Sequence, residues 1–591
     1  MSAPHSITTL PATLRTRRQS QTPLLGGDPS TSTPRSRTRW TKLALGSTVA
    51  LATLSLLTPG QLWPGVSLFH DRTVCEARGA FTPFKLEDEQ RRLALRIHPF
   101  EEGTHASFLP DNTILPDAFH PVLSAAQISS LFESENSSTG YVPPPPSLDG
   151  DQNDDRACLI PASHALPLLP RSVVTPESPE IFFSVSTSSD RAVIYAPVWK
   201  HFMSKSRSIR GAEEEKERSL SAPGCVVTDA QSQGNHVGMA KANAAFRREG
   251  LSCTMKESSR VGERYEMRVL GLVRDAWIES ERRRWQEGAR LVDFFVFADD
   301  DTWFSDAGML REMLSAYDSR EDHYFGSFSE TKGTVESFGR IGFGGAGVII
   351  SRGLVRKMQS TLDRCAERFA DIFGGDGIMS NCAAFTRNIP LEDLVEETSS
   401  MRQMDIRGDA TGYLTSGRTP FMSLHHWASW LNLIPDRNPL PSITLFSRAA
   451  SILGGPNFLR RFIFDSGSVE VVLGYAVTLY REPLRVEDLA ATEHSWDGHE
   501  SYLPLRRRVE QGKEKLTYYI SSIDRLSPEL AIFHHTCNSP TLATTSLKTF
   551  SILYDLRSSA PAWSSKTGRA RASPRSSFDR KQLGQKRVFH A

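Results

Sequence analysis

The sequence predicts an α/β fold built on a doubly wound, mixed sheet, and three observations support this prediction. Short, continuously apolar segments occur at IFFSVST (181–187), GCVVTDA (224–230) and LVDFFVFADDD (291–301), as expected for strands buried on both faces. Helical segments separate these strands, and such alternation is typical of parallel sheets. Each strand ends in hydroxyl or acidic residues, which predicts a ligand site at the carboxyl edge of the sheet.

The elements follow one another in the order that this fold requires. Residues 192–203 form an apolar helical segment after the first strand, and residues 261–287 place apolar residues at helical spacing before the third. Residues 305–317 predict a further helix, and YFGSFSE (324–330) predicts a strand that runs into a loop. After Pro435 the segments SVEVVLGYAVTLY and KLTYYISSI are apolar and rich in β-branched residues, which predicts a smaller β-containing extension.

Length and charge narrow the class of protein. The chain has 591 residues, more than one average domain needs, and a net charge of +1. Such a balance gives no global sign of a nucleic-acid partner. Seven cysteines occur, all after residue 70, and none has CxxC or zinc-ligand spacing.

The N-terminus predicts a membrane anchor. Residues 1–42 are basic, with Asp28 as their only acid, and an uncharged segment of 21 residues follows at 43–63, between Trp40 and Trp63. About 20 apolar residues span a bilayer, and the preceding basic residues favour a cytosolic N-terminus. A single-pass type II protein with a lumenal catalytic domain in the Golgi or endoplasmic reticulum is therefore expected. A cleaved signal peptide and a mitochondrial presequence are the alternatives.

Composition divides the remainder of the chain into four segments. Residues 64–178 contain four consecutive prolines followed by acids, which predicts a partly disordered stem. The catalytic domain is predicted at 179–435 and the extension at 436–556. Residues 557–591 are rich in Ser and Arg and predict a basic disordered tail.

The main chemical signal is Asp299-Asp300-Asp301, directly after the apolar FFVFA segment. Three adjacent carboxylates repel one another and need a compensating cation. Oxygen ligands of this kind suit Mg²⁺ or Mn²⁺, and a nucleotide diphosphate would add further oxygens. A solvated acidic loop or a helix N-terminus is the structural alternative.

Three weaker signals follow the acidic triplet. The segment GFGGAGVIIS contains Gly344 and Gly345, which would let a ligand approach the backbone, although turns use the same residues. Asp376 in GGDGIMSNC could be a general base or a helix cap. His425 and His426 in SLHHWASW could provide a metal ligand, although isolated structural histidines are commoner.

Taken together, the order and spacing of these motifs resemble the fringe-like β-1,3-glycosyltransferases of glycosyltransferase family 31. The segment from Met404 to Trp427 resembles a branch of that family that carries a C-terminal extension. The motifs that carry the resemblance are FFVFADDDTWF, YFGSFSE, FGGAGVIISRGLVRKM, GGDGIMSNC, QMDIRGDATGYL and SLHHWASW.

The resemblance implies a GT-A fold, a UDP-sugar donor, a divalent metal and inversion at the anomeric carbon. By position, Asp301 is the direct metal ligand, and Asp299 and Asp300 contact the ribose and the metal shell. The family's C-terminal histidine ligand falls at His426, with His425 as the reserve. The remaining assignments are Asp376 as the catalytic carboxylate, where the family's acid pair is reduced to Gly375-Asp376, and Thr187, Asp229, Gly344 and Gly345 as donor contacts.

These assignments predict transfer of a hexose or N-acetylhexosamine to a glycan or glycoprotein hydroxyl. A metal-dependent sugar-nucleotide hydrolase and a non-catalytic lumenal glycan-binding protein are the alternatives. Because Cys365 and Cys382 bracket Asp376, we expect them to form a disulfide that holds it in place, and Cys225 is expected to pair with Cys253.

Overall fold

The structure is a computed structural model, and it describes residues 93–99, 125–132, 162–166, 168–172, 174–204, 222–229, 234–464, 467–498, 500–539 and 549–556. All of these residues belong to one compact unit. The predicted cytosolic tail, the anchor at 43–63 and the basic tail at 557–591 lie outside the described residues. No helix in the described ranges combines the length and apolar character that a membrane-spanning helix needs.

The strands of the described residues, in chain order, are β1 (Leu93–Pro99), β2 (Ala162–Leu166), β3 (Ile181–Thr187), β4 (Gly224–Asp229), β5 (Ser252–Glu257), β6 (Phe294–Ala298), β7 (Trp303–Phe304), β8 (Tyr324–Gly326), β9 (Val348–Ser351), β10 (Glu396–Glu397), β11 (Arg407–Asp409), β12 (Ser423–Leu424), β13 (Leu431–Asn432), β14 (Arg461–Phe464), β15 (Val469–Val472), β16 (Ala476–Tyr480), β17 (Thr492–Glu493), β18 (Trp496–Asp497), β19 (Leu505–Arg506), β20 (Lys515–Ser527), β21 (Leu530–Thr536) and β22 (Thr549–Asp555).

The α-helices of the same residues are α1 (Ala125–Phe132), α2 (Ser189–Met203), α3 (His236–Glu249), α4 (Tyr265–Glu287), α5 (Ala307–Leu314), α6 (Lys332–Phe338), α7 (Arg352–Met358), α8 (Leu362–Arg368), α9 (Gly375–Arg387), α10 (Thr411–Leu414), α11 (Pro439–Leu453) and α12 (Val486–Ala490). A 3₁₀ helix occupies Leu391–Asp393.

A seven-stranded mixed sheet with the order β10-β8-β9-β6-β3-β4-β5 confirms the predicted α/β class. Strand β3 lies between β4 and β6 and is parallel to both, whereas β9 runs antiparallel to β6. Every residue of β3 and β4 is buried, because helices cover both faces of the sheet. The strands and helices predicted between residues 181 and 317 are all present, with ends that differ by a few residues.

The sequence predicts a small β-containing extension, but the second sheet of the structure has more strands than the first. It contains eight strands in the order β14-β15-β16-β20-β21-β22-β1-β2. Strands β1 and β2 come from the segment interpreted as a stem, and β1 runs parallel to β22, with Leu93 opposite Phe550. That pairing joins residues more than 400 positions apart, and composition within the stem carries no signal of it.

The predicted boundary at residue 435 does not separate two cores. Trp303, in the catalytic segment, packs against Phe446 and Phe458, with ring centroids 6.3 and 5.5 Å away, and its indole N–H donates to Ser447 at 2.9 Å. These residues belong to one buried apolar cluster that extends from β3 to β22. The extension therefore stabilises the strand that follows the acidic triplet.

Two disulfides are present among the described cysteines, and both confirm the expected pairs. Cys225 on β4 bonds to Cys253 on β5, and Cys365 on α8 bonds to Cys382 on α9. Cys537 is a buried free thiol.

Candidate active site

Strands β3, β4 and β6 bring their polar ends to one edge of the seven-stranded sheet. Thr187, the last residue of β3, lies directly opposite Asp229, the last residue of β4. The acidic triplet follows β6, which pairs with the other side of β3. Because the three strands are parallel, all of these side chains lie at the carboxyl edge, where such folds bind ligands.

The three carboxylates of the triplet have different partners. Asp300 accepts a hydrogen bond from the Thr187 hydroxyl and pairs with Arg191 at 2.6 Å. Asp301 is buried and accepts a hydrogen bond from the Ser429 hydroxyl at 2.9 Å. Asp299 lines a pocket. The triplet therefore separates into an anchored residue, Asp300, and two residues, Asp299 and Asp301, that remain close to the histidine pair.

A short strand pair places the histidines next to the triplet. Strand β12 runs antiparallel to β7, so that Leu424 lies opposite Trp303, only two residues after Asp301. The Nε2 atom of His425 is 3.1 Å from a carboxylate oxygen of Asp301 and 3.4 Å from one of Asp299. The histidine motif thus meets the acidic motif across more than 120 residues of sequence.

The ring of His426 is held from several directions. It stacks between the rings of His425 and Trp430, with centroids 3.6 and 3.8 Å away. Its Nδ1 lies 3.0 Å from the Ser429 hydroxyl, and its Nε2 lies 3.3 Å from a carboxylate oxygen of Asp405. The backbone at His426 has φ = +60°, a left-handed conformation that is uncommon for residues other than glycine.

The electrostatics of the site reflect this clustering. Burial alone would lower the pKa of His425, but the hydrogen bond to Asp301 and the negative charge of Asp299 outweigh it and raise the pKa to about 9. Burial would raise the pKa of Asp301, yet the hydrogen bond from His425 lowers it to about 2. Burial, reinforced by the charges of Asp376 and Asp301, raises the pKa of Asp299 to about 7. The protonated imidazole balances the acids when no metal is bound.

Asp301, His425 and His426 form a group that can hold a metal ion, since one ligand atom from each lies within 4.8 Å of the others. One carboxylate and two imidazole nitrogens suit Mn²⁺ better than Mg²⁺, which strongly prefers oxygen ligands. The residues present therefore fit a divalent transition metal. The histidine that the sequence analysis placed second, His425, lies nearest to Asp301, and His426 completes the group.

The two glycines let protein side chains come close to the backbone, and their predicted contact with the donor stays a prediction. A Cβ atom at Gly345 would overlap the His425 ring, with its nearest atom at 1.9 Å, and one at Gly344 would lie 3.0 Å from Asp376. The space that a Cβ atom would need at each glycine is therefore filled by a protein side chain. The glycines let the histidine and the acid approach the backbone, and Gly344 donates its N–H to Asp376 at 2.9 Å.

Asp376 lies in the first turn of α9, and its contacts disfavour the helix-cap interpretation. Gly374 occupies the N-cap position, and the carboxylate of Asp376 instead accepts the Gly344 N–H. Helix α9 packs so closely on α4 that a Cβ at Gly375 would lie 2.7 Å from Val269. Burial raises the pKa of Asp376, and the Gly344 hydrogen bond opposes this shift only in part.

Asp299 and Asp376 both line one pocket, with an empty volume of about 340 Å³. Ser186, Tyr265 and Gly344 lie in its wall as well. Burial and the nearby charges of Asp299 and Asp376 raise the pKa of the Tyr265 phenol. The candidate base and an acid of the triplet therefore share one cleft at the edge of the sheet.

Sequence analysis missed several residues of this site. Asp405, Ser429, Arg191 and Tyr265 received no role from the sequence, because each of them also contacts residues that are distant in the chain. Ser429 lies three positions after His426, so its place in the histidine motif was a usable signal. Asp405 lies in QMDIRGDATGYL, a segment that contributed to the family resemblance without receiving a role.

Two family models match the chain. The model described as Fringe-like matches residues 227–384, which include Asp229, the triplet, both glycines and Asp376. The model described as protein of unknown function, DUF604, matches residues 333–530, which include His425 and His426. The resemblance to a fringe-like glycosyltransferase is therefore confirmed, and the two matches overlap across Asp376.

Solved structures show low similarity, and no curated protein matches the chain significantly. A glycosyltransferase involved in glycosylation of the major capsid of PBCV-1 is 11% identical, with 46% of this chain and 100% of that chain covered and a TM-score of 0.23. A Pyrobaculum calidifontis mannosyltransferase in complex with GDP-Man and Mn²⁺ is 14% identical, with 49% and 74% covered and a TM-score of 0.21. Mouse xyloside xylosyltransferase 1 is 11% identical, with 37% and 83% covered and a TM-score of 0.22.

Proposed function

We propose that the chain is an inverting, metal-dependent glycosyltransferase with a GT-A fold. It transfers a hexose or N-acetylhexosamine from a UDP-sugar to a hydroxyl of a glycan or glycoprotein, with β-1,3 linkage. One observation carries the proposal: Asp299 lies 3.4 Å from His425 of the cation-binding group and lines the same pocket as Asp376, at the carboxyl edge of the sheet. The Fringe-like match over residues 227–384 supports the same class.

We assign binding of the donor to the acidic triplet and the residues around it. Asp301, His425 and His426 would hold a divalent cation, which supplies Lewis-acid stabilisation of the negative charge on the leaving diphosphate. Asp300 cannot move freely, because Thr187 and Arg191 hold it. We infer that Thr187 and Asp229, which lie opposite each other at the ends of β3 and β4, contact the nucleoside.

We assign activation of the acceptor hydroxyl to Asp376. A general base must be ionised and close to the proton that it removes, and its efficiency rises as its pKa approaches the working pH. Burial shifts the pKa of Asp376 in that direction, and the Gly344 N–H fixes one carboxylate oxygen. The other oxygen can take the proton of the acceptor hydroxyl as that hydroxyl attacks the anomeric carbon. One displacement of this kind inverts the centre and needs no second catalytic carboxylate.

We place the enzyme in the lumen of the Golgi or endoplasmic reticulum, anchored by residues 43–63. The two disulfides support this location, because disulfides persist in oxidising compartments. The topology is tested by expressing the protein in cells, isolating sealed microsomes and treating them with protease. Digestion of the catalytic segment without detergent would contradict it.

A donor screen tests the proposed activity. Purified residues 64–556 are incubated with Mn²⁺ and single UDP-sugars, with and without a panel of galactosides and N-acetylhexosaminides, and UDP release is measured together with the glycan product. We expect one donor to give acceptor-dependent release, and Asp301→Asn to abolish it. Arg320→Gln, a change at an exposed arginine whose side chain pairs with Asp318, is the control that should retain activity.

The same screen separates the alternatives. Rapid UDP-sugar hydrolysis that acceptors do not change would indicate a hydrolase. Binding of UDP or glycans without turnover of any donor would indicate a non-catalytic protein.

A further inference from the structure

Asp405 is an acid with no assigned role that lies beside the cation-binding group. Its side chain is 8% exposed, and it follows Met404, whose backbone is left-handed with φ = +57°. The side-chain amide of Gln403 donates to Asp405 at 3.1 Å, and the backbone N–H of Asp405 donates to Glu330 at 3.4 Å. These contacts, which involve no residue of the cation-binding group, hold Asp405 in place.

Asp405 faces one nitrogen of the His426 ring, and Ser429 faces the other. Its carboxylate oxygen lies 3.3 Å from His426 Nε2, while Nδ1 of the same ring faces the Ser429 hydroxyl at 3.0 Å. The Ser429 hydroxyl donates to Asp301 at 2.9 Å. A continuous series of contacts thus runs from Asp405 through His426 and Ser429 to Asp301, and no contact exceeds 3.3 Å.

This arrangement has a known chemical consequence. A carboxylate on the far nitrogen of an imidazole fixes which nitrogen carries the proton and which offers its lone pair. With Asp405 holding a proton on Nε2, Nδ1 is the nitrogen of His426 that would offer its lone pair to a cation, in place of its present contact with the Ser429 hydroxyl. Stacking between His425 and Trp430 prevents the ring from turning away.

We propose that Asp405 is a positioning residue of the cation site, which it organises by orienting the His426 ring. The left-handed backbone at both Met404 and His426 supports this role, because such conformations persist only where the surroundings impose them. The proposal rests on the proposed function only in requiring that Asp301, His425 and His426 bind a divalent cation. It does not depend on the donor sugar or on the acceptor.

Mn²⁺ binding to the full chain tests the proposal directly. Mn²⁺ is titrated by calorimetry, with the free ion followed by electron paramagnetic resonance, into the wild type, Asp405→Asn and Asp409→Asn. Asp409 is the matched control, because it lies in the same segment but bonds to Thr411 and Arg508. We expect Asp405→Asn to weaken Mn²⁺ binding by about 10- to 100-fold, the usual effect of removing such a partner, and Asp409→Asn to leave it unchanged.

A double-mutant cycle shows whether Asp405 acts through His426. In the His426→Gln background, Asp405→Asn should have no further effect on Mn²⁺ affinity, whereas an independent structural role would give additive losses. If Asp405→Asn does not fold, Asp405→Glu, which keeps the charge but displaces it, carries the same expectation.

The outcomes separate this inference from the proposed function. Equal Mn²⁺ affinity in the wild type and Asp405→Asn, or additive losses in the cycle, would overturn the role of Asp405. A wild type that binds no Mn²⁺ would overturn the cation site itself and, with it, the metal-dependent mechanism.

Discussion

At the scale of single residues, the candidate site depends on close approaches that only particular side chains allow. His425 fits beside Asp301 because residue 345 has no side chain, and Asp376 meets the backbone of residue 344 for the same reason. The sequence predicts that a ligand approaches the backbone at these glycines, and the structure adds that His425 and Asp376 approach it as well. A glycine in a sequence indicates that some group can come close to the backbone, but it does not show which group does.

We expect Gly345→Ala to abolish the cation site while leaving the fold intact. The new methyl group would overlap the His425 ring and push it away from Asp301. Calorimetry should show that Mn²⁺ binding is weakened at least tenfold, with little change in melting temperature. Gly271→Ala on α4, where a Cβ would meet side-chain atoms of Arg260 and Ser259 at 3.1 Å and beyond, is the control. Unchanged Mn²⁺ affinity in Gly345→Ala would show that His425 is not a ligand.

The His425 ion pair predicts a pH dependence of stability in metal-free protein. The pKa of His425 is raised to about 9 in the folded state, against about 6.5 in an unfolded chain. A raised pKa means that the stabilisation is complete below pH 6.5 and is lost as the pH rises through 9. In EDTA, the difference in unfolding free energy between the wild type and His425→Gln should fall by the order of 3 kcal/mol between pH 6 and pH 10. A difference that grows with pH would contradict this assignment.

At the scale of elements, short-range patterns predicted the central strands well and the long-range pairings poorly. Strands β3 and β6 were predictable because continuous apolar runs that end in polar residues have few other interpretations. The pairing of β1 with β22 was not predictable, since neither strand carries a signal of its partner. The contact of β12 with β7, which brings the histidines to the triplet, has the same origin in tertiary packing.

The disulfide between α8 and α9 gives a prediction at this scale. It closes a loop of 17 residues that contains the start of α9 and hence Asp376. Replacing both Cys365 and Cys382 with alanine should lower the unfolding free energy by about 3 kcal/mol, because the unfolded chain gains entropy. Denaturant unfolding measures this loss, and reduced wild-type protein should show a similar one. Equal stability of the oxidised wild type and the variant would contradict the prediction.

At the scale of the whole molecule, the catalytic segment and the extension share one apolar core. Trp303, which follows the triplet, is completely buried, and Phe446 and Phe458 from beyond position 435 pack against it. The sequence indicated a boundary there because the texture changes from alternating helices and strands to β-rich segments. A change in the secondary-structure pattern of a sequence can mark a second sheet within the same domain, and it does not require a separate domain.

This shared core predicts that residues 179–435 do not fold alone. Expression of that segment should give aggregated protein or no cooperative thermal transition, because Trp303 and its neighbours would be exposed. Residues 64–556, which retain every described strand, should melt in a cooperative transition. Circular dichroism and size-exclusion chromatography compare the two, and a monomeric, cooperatively folded 179–435 fragment would show that the boundary is real.

The measurement that tests the central claim most directly is the turnover of Asp376→Asn at saturating Mn²⁺ and donor. The substitution removes the proton acceptor but leaves the cation-binding group untouched. We expect transfer to the acceptor to fall by about 10²- to 10⁴-fold, the usual contribution of a general base. UDP affinity and melting temperature should stay close to those of the wild type. Near-normal transfer by Asp376→Asn would contradict the account, because the cleft would then hold no catalytic base at this position.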